Sequence, residues 1–354
     1  MNTFQRLLHR PFFIRLLNWE YWPFAVVYGP ILPVYFLLAA RARALFFFSA
    51  SNPSIETGGF MMESKKKIYD ILPAGTYPRT MFFALPADVS AVVHAVREAG
   101  FRYPLIAKPD IGAKGMGVRK LDDEAELARY CEESPMDFLV QEYIHFEKEA
   151  GVFFCRMPDE TCGRITGIVR KEFVKVTGDG IQTIRQLILK EKRFILQLQA
   201  LEQMHSGFLD AVLPNGVEQV LVPYGNHARG SKFLDDTDLV DAELQDVFNT
   251  LCTKIPGFYY GRLDIRYESW EKLRKGEAFS IIELNGAGSE PTHIYDPRHS
   301  VFYAWNEIIR HWFWLFRISR ANHKKGIPYM SFAEGRQMFR DNTAFEQKME
   351  QLYV

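Results

Sequence analysis

The sequence predicts an α+β protein of two lobes behind an aromatic-rich, mostly helical N-terminal segment. Strand-like and helix-like stretches alternate irregularly from Ser64 onward, which favours an α+β or mixed α/β architecture over one regular parallel sheet. The chain has 354 residues, enough for about two to three domains at roughly 100–200 residues each. Composition also breaks after Asn52, where an apolar start gives way to the turn-rich linker "NPSIETGGFMMESKKK".

Ahead of that break, twelve aromatic residues lie between Phe12 and Phe48, and the twenty residues from Tyr21 to Ala40 carry no charge. That run is long enough to cross a bilayer as a helix, but Pro23, Pro30, Pro33 and Gly29 interrupt it. Arg10, Arg15, Arg41 and Arg43 flank it, with Trp19, Tyr21 and Trp22 at one edge, in the manner of an interfacial anchor. Two expectations follow: a monotopic or re-entrant membrane element, or an aromatic segment packed on the rest of the protein, against Trp305, Trp312 and Phe316.

The remaining elements follow in order. "SKKKIYDIL" begins a helix with Ser64 as N-cap. "TYPRTMFFA" reads as a strand, and "ADVSAVVHAVREAG" as a helix stopped by Gly100. "YPLIAKP" is a strand, "GMGVRKL" its partner, and "DDEAELARYCEE" a helix with acidic residues at its start. "DFLVQEYI" is a strand, with "EAGVFFCRM" and "GRITGIVRKEF" continuing the same sheet. "TIRQLILKEKRFILQLQALEQ" reads as one long amphipathic helix. Strands "YYGRLDIRY" and "FSIIELN" and the aromatic helix "VFYAWNEIIRHWFWLFRISRA" complete the reading.

Two stretches carry chemistry. In "KPDIGAKGMGVRK", Gly112, Gly115 and Gly117 let backbone N–H groups approach an anion, and Lys108 and Lys114 supply charge. A surface turn between two strands is the alternative, since the string is neither GxxxxGK[ST] nor GxGxxG. Further on, Arg262, Asp264 and Arg266 alternate along one strand, and Glu283 and Asn285 along the next. One antiparallel register opposes Asp264 to Glu283 and Arg262 to Asn285, bringing two carboxylates, an amide and an arginine onto one face. Oxygen donors so placed suit Mg²⁺ shared with phosphate. The alternative is a solvent-facing polar hairpin, against which stands the apolar setting of Asp264 and Glu283 in strands where facing carboxylates repel.

Balanced charge, 43 basic against 43 acidic residues, excludes a nucleic-acid polyelectrolyte partner. Cys131, Cys155, Cys162 and Cys252 form no CxxC pair, which fits ordinary thiols of a reducing, cytoplasmic compartment.

At this point the chain resembles the ATP-grasp ligases, as in D-alanine–D-alanine ligase and the ATP-dependent part of cyanophycin synthetase. The resemblance runs from about Ser64 to Pro297 through "SK" before a helix leading to "YPRT", then "LIAKPDIGAKGMGV", "LVQEYIHFEKEAGV", "GRLDIR" and "IIELNGAGSEP". "KVTGDGIQTIRQLI" and "LPNGVEQVLVPYGNHARGSKFLDDTD" look like cyanophycin synthetase more narrowly. Residues 1–60 do not match the usual N-terminal substrate domain of such ligases, which leaves the substrate open and points to a hydrophobic or lipid-linked one.

The resemblance implies an ATP-grasp fold, two α+β lobes clasping ATP, with Lys65 and Lys108 on the phosphates. Lys65 is preferred to Lys66 and Lys67 because it stands thirteen residues before Pro78, as in relatives such as biotin carboxylase. It further implies that Gly112, Lys114, Gly115 and Gly117 close over the β- and γ-phosphates. Glu142, Tyr143 and Ile144 would border adenine, and Glu149 the ribose. Asp264, Glu283 and Asn285 would hold one or two Mg²⁺ ions (or Mn²⁺ in their place), with Arg262 and Lys108 catalytic. His227, Arg229, Arg170 and Lys171 are candidate substrate contacts, and His293 and Asp296 candidates for the second substrate.

The expected division is an N-terminal segment 1–62, a first lobe 63–143, a second lobe 144–318 and a helical tail 319–354. The expected activity joins a small carboxylate to an amine through an acyl phosphate, releasing ADP and phosphate. The competing expectations are a phosphotransferase without an amine acceptor and a nucleotide-binding scaffold with little turnover.

Overall fold

Alternating apolar residues in the computed structural model build two antiparallel sheets. It describes residues 10–112, 115–204, 207–222, 225 and 227–353. The first sheet has strand order β1-β4-β2-β3, from Thr80–Phe83 (β1), Leu105–Pro109 (β2), Arg119–Leu121 (β3) and Phe138–Glu142 (β4). Helices Val89–Glu98 and Glu124–Glu133 cover one face, where Val92, Val96, Leu127 and Tyr130 meet Leu105, Ala107 and Phe138. Asp88 and Asp123 cap these helices by accepting from Ala91 N and Glu126 N, and Ser64 caps Lys65–Ile71 by accepting from Lys67 N.

The second sheet has order β11-β10-β5-β6-β9, from Lys148–Cys155 (β5), Arg164–Glu172 (β6), Lys232–Asp235 (β9), Tyr260–Tyr267 (β10) and Phe279–Asn285 (β11). The segments "EAGVFFCRM" and "GRITGIVRKEF" therefore found a new sheet and do not extend the one ending in β4. A separate pair, Val174–Thr177 (β7) with Glu218–Val222 (β8), carries the next segment.

That segment is not one helix. It divides into Ile184–Ile188, Lys192–Ile195 and Leu198–Met204. Glu191 between the first two takes extended backbone, φ −101° and ψ 115°. Breaking the helix there lets Ile184, Leu187, Ile188 and Leu201 all reach the small core over β7 and β8.

The two faces of the second sheet differ in content. Ala150, Val152 and Phe154 of β5, with Leu263, Ile265 and Tyr267 of β10, pack on helix Ala242–Thr253 and on Ile68, Tyr69 and Leu72. On the opposite face, Phe153 and Tyr260 pack under Phe47, Phe48, Leu315 and Phe316. The N-terminal segment is thus part of this core. It contains the short helices Pro11–Leu17 and Phe24–Tyr28 and the longer Leu32–Ala42, so the uncharged run is not one span, and the prolines mark its breaks.

Packing on the late helix Val301–Lys324 is direct. Trp305 Nε1 donates to Val27 O at 2.7 Å, Tyr35 and Trp312 rings lie 5.5 Å apart, and Phe47 and Phe316 rings 5.8 Å. That helix is continuous through residue 318, where a lobe boundary was expected, and a further helix, Phe332–Tyr353, follows. Among the described residues no helix is long and apolar enough to cross a membrane. Phe12, Leu16, Leu17, Phe24, Phe36 and Leu37 nevertheless face outward.

Asn52 fastens the segment to β10. Its Nδ2 donates to Gly58 O (2.9 Å) and Tyr260 O (2.8 Å), and its Oδ1 accepts from Tyr259 N and Tyr260 N. Asn52 is fully buried, so truncation takes this partner from Tyr259 N, Tyr260 N and Tyr260 O, while Gly58 O keeps Ala287 N. Asn52→Ala should lower unfolding stability by about 2–4 kcal/mol, measured by urea titration.

Candidate active site

A continuous cavity of about 1220 Å³ lies between the two sheets and the N-terminal segment. Strand β10 crosses it. The register opposes Arg262 to Asn285 and Asp264 to Glu283, as the sequence predicts, before a bulge shifts Ile265 onto Ile281. Helix Trp270–Arg274 occupies the polar connection between the strands. On the other side of β10, Arg262 pairs with Phe153, Asp264 with Gly151 and Arg266 with Glu149. In turn Glu149 pairs with Lys171 of β6.

This register concentrates charge out of water. Arg262 Nε donates to Asp264 Oδ1 at 2.8 Å and Nη2 to Oδ2 at 3.1 Å, while Nη1 donates to Glu290 O. Lys171 Nζ lies 2.8 Å from Glu149 Oε1 and 3.4 Å from Asp264 Oδ1. Burial alone would raise the Asp264 carboxyl, but Arg262 and Lys171 outweigh it and hold it below the usual range. Burial works against Lys171 too, and Asp264 and Glu149 overcome it and raise its pKa.

Gly151 makes the arrangement possible. A Cβ there would sit 2.9 Å from both Arg262 Cδ and Asp264 Oδ1, and 3.0 Å from Val169 Cγ1.

From the first sheet, Lys108 leaves β2 and donates to Tyr69 Oη at 2.8 Å and Gln141 Oε1 at 3.1 Å. Burial pushes its pKa down to about 8, against an opposing pull from Glu283. Lys65 Nζ donates to Gly112 O at 2.8 Å and Asp110 O at 3.2 Å, and burial lowers it also, with Glu283 opposing. Glu283 has no hydrogen bond or ion pair among the described residues, although both lysines feel its charge.

Gly112 and Gly115 line the cavity and Gly117 lies just beyond its wall. Gly115 and Gly117 have φ of +70°, backbone that glycine adopts without strain. Lys114 lies outside the described residues. Tyr143 and Ile144 line the cavity, as does Glu142, whose carboxylate accepts from Arg79 at 3.1 Å. Glu149 reaches the cavity already paired with Lys171.

His227, Arg229 and Lys171 also border it, whereas Arg170 turns to Asp236 and Glu172. His293 and Asp296 do not reach it. His293 is buried against Glu307, and Asp296 accepts from Asp235 N and Arg298, so both are structural.

Several lining groups escape the sequence reading. Burial raises the Glu63 carboxyl, and its Oε2 is buried with no partner. Glu290 accepts from Tyr295 at 3.1 Å and from Tyr28. A lone Glu or Tyr in linker sequence carries no periodic signal, so neither was legible.

Glu283 offers a carboxylate not engaged by a cation, and Asn285 Nδ2 beside it is buried without a partner. Asp264 already shares both oxygens with Arg262. Of the expected set, the Glu283 carboxylate is therefore the oxygen donor left open to a hard cation, and Asn285 Nδ2 is an N–H donor suited to an anion beside it. No group of three or more His, Cys, Asp or Glu suited to a metal occurs among the described residues.

Neither a family model nor a curated relative matches the chain in sequence. Solved structures do match. A bifunctional glutathione synthetase from Pasteurella multocida is 14% identical, with TM-score 0.41, over 70% of this chain and 35% of that one. The VanG D-Ala:D-Ser ligase from Enterococcus faecalis is 17% identical, TM-score 0.42, over 73% of this chain and 64% of that one. A D-alanine–D-alanine ligase from Bacillus anthracis is 13% identical, TM-score 0.41, over 77% and 72%. The chain thus spans about a third of the first and under two thirds of the second. At these scores the likeness assigns no residue its role.

Two outcomes follow from the geometry. Gly151→Ala should displace Asp264 and Arg262, lowering stability by about 1–3 kcal/mol in urea titrations. Lys108 has a folded pKa depressed from 10.5 to about 8, so the unfolded chain binds more protons between those values and stability rises with pH there. Lys108→Met should therefore stabilise the ligand-free protein at neutral pH, with the advantage fading as pH climbs towards 10.5. Melting curves across that pH range check this.

Proposed function

We propose that the protein is an ATP-dependent ligase of the ATP-grasp type that joins a carboxylate to an amine. The observation that carries the proposal is one cavity into which Lys65, Lys108 and a glycine loop enter from one side and Arg262, Asp264 and Glu283 from the other. Phosphoryl transfer needs positioning, charge neutralisation and exclusion of water, without a covalent enzyme group. This cavity is furnished for those tasks.

In this reading the two lobes are residues 63–143 and 144–318, with ATP between them. Lys65 and Lys108 neutralise phosphate oxygens, and an arriving anion restores the charge that burial disfavours on Lys108. Gly112 and Gly115 bring backbone N–H groups to the same phosphates, and Tyr143 and Ile144 border the base. Glu283, with Asp264 and Asn285, would hold one or two Mg²⁺ ions, whose chemistry is neutralisation of phosphate charge.

A substrate carboxylate oxygen bonds to the γ-phosphorus as the bond to the β-phosphate oxygen breaks and ADP leaves. Arg262, held flat by Asp264, stabilises charge on the transferring group. An amine nitrogen then attacks the acyl carbon, the bond to phosphate oxygen breaks, and the nitrogen loses its proton.

ADP release should be screened against amino acids, dipeptides and acyl acids, with the product mass determined for each hit. ADP release dependent on a carboxylate and an amine, giving a product of their combined mass less water, is the expected result. ADP release without amine incorporation would favour a phosphotransferase, and no release with any acid would overturn the reading. Glu283→Ala should lower turnover on the order of 10³-fold while far-UV circular dichroism stays unchanged.

A further inference from the structure

The cavity is larger than pockets that enclose one small ligand, which run to about 1,000 Å³, and its two ends differ. One end is the charged site. The other is walled by Phe24, Tyr35, Leu45, Phe60, Trp312 and Phe345, side chains from the N-terminal segment and the last two helices. Protein interiors normally close apolar space to crystal-like density, so a standing apolar chamber joined to a reactive site calls for an occupant.

Strand β10 sets how the ends meet. Tyr260, Arg262 and Asp264 share one face of the strand. Tyr260 lies on the aromatic side with Phe153, at 5.0 Å between rings, and Asp264 on the charged side with Lys171. Arg262 stands at the junction and holds Glu290 O, while the Glu290 carboxylate accepts the Tyr28 hydroxyl of the aromatic wall. Two of the lining residues, Phe24 and Phe339, are 69% and 42% exposed, so an apolar chain has a route in.

We infer that the chamber binds the chain of an amphiphilic monocarboxylate, with the carboxylate at Arg262 and the acyl chain among the aromatic side chains. Which end reacts rests on the ligase reading; the binding itself does not. Arg262 spends three of its five N–H groups on Asp264 and Glu290 O, and the remaining donors favour an acid over an amine head group, while the aromatic wall favours an apolar body over a peptide.

The test uses the full chain without nucleotide or vesicles, so that neither turnover nor partition into a bilayer contributes. Saturated acids from butyrate to palmitate, below their micelle concentrations, compete with cis-parinaric acid followed by fluorescence. Affinity should rise about threefold to fourfold per added methylene until the chamber is filled. Leu32→Trp, which fills the chamber, and Phe345→Asp, which charges its opposite wall, should each weaken palmitate at least about tenfold. Binding of a fluorescent ATP analogue should be unchanged in both, which also reports that they fold. Affinity flat from butyrate to palmitate, or wild-type palmitate binding in both folded variants, would overturn the inference. Chain-length-dependent binding without any ADP release would sink the ligase reading and leave this one standing.

Discussion

Everything at the charged end of the cavity depends on keeping Asp264 ionised out of water. A lone buried carboxylate would take up a proton, because desolvation penalises the charged form by several kcal/mol. Here two cations prevent that, Arg262 in a two-bond fork and Lys171 from β6, reaching across β5. Lys171 in turn needs Glu149, and Arg262 needs Glu290 O. The chain of charges closes only because Gly151, directly opposite Asp264, has no side chain. Sheet register, a missing Cβ and four charged groups are thus one constraint.

The first sheet meets this network with charges that are less well satisfied. Lys108 is only 7% exposed and bonds to neutral groups, the Tyr69 hydroxyl and the Gln141 amide oxygen. Burial lowers both Lys65 and Lys108, and Glu283 opposes it without forming an ion pair with either. A site that satisfied its own charges fully would gain nothing from an anion. Among the described residues this one keeps two desolvated cations, a carboxylate at Glu283 with no ion pair and a buried, unpartnered amide nitrogen at Asn285. Such unmet groups raise the energy of the free protein and lower it when a polyanion with its cation arrives.

Period-two spacing made the charged hairpin legible. Arg262, Asp264, Glu283 and Asn285 could be opposed on paper because a strand has a fixed period and one antiparallel register centres on the polar stretch between the strands. The cap at Ser64 was readable because its chemistry is local. What failed was non-local. Nothing within "EAGVFFCRM" says which sheet it joins, and "TIRQLILKEKRFILQLQALEQ" keeps helical apolar spacing although its parts fold back onto one small core over β7 and β8. His293 and Asp296 looked available from their position after β11, but Glu307 of the late helix and the backbone N–H of Asp235 in β9 had already engaged them.

The N-terminal segment posed a choice that composition could not make, because a bilayer and a protein core are both apolar solvents. The structure decides part of it by hydrogen bonding. Asn52 meets four backbone groups, Asn322 holds Ala50 O and Ser51 O, and Trp305 holds Val27 O. These polar links fix the segment to the strand that carries Arg262 and Asp264 and to the helix behind it. The aromatic residues inside that frame then form one wall of the same cavity whose floor is charged. A segment tied so closely to β10 cannot move without moving Arg262, so whatever occupies the aromatic wall is coupled to the position of the guanidinium. Apolar binding energy gained at one end is thereby available to orient the reacting group at the other.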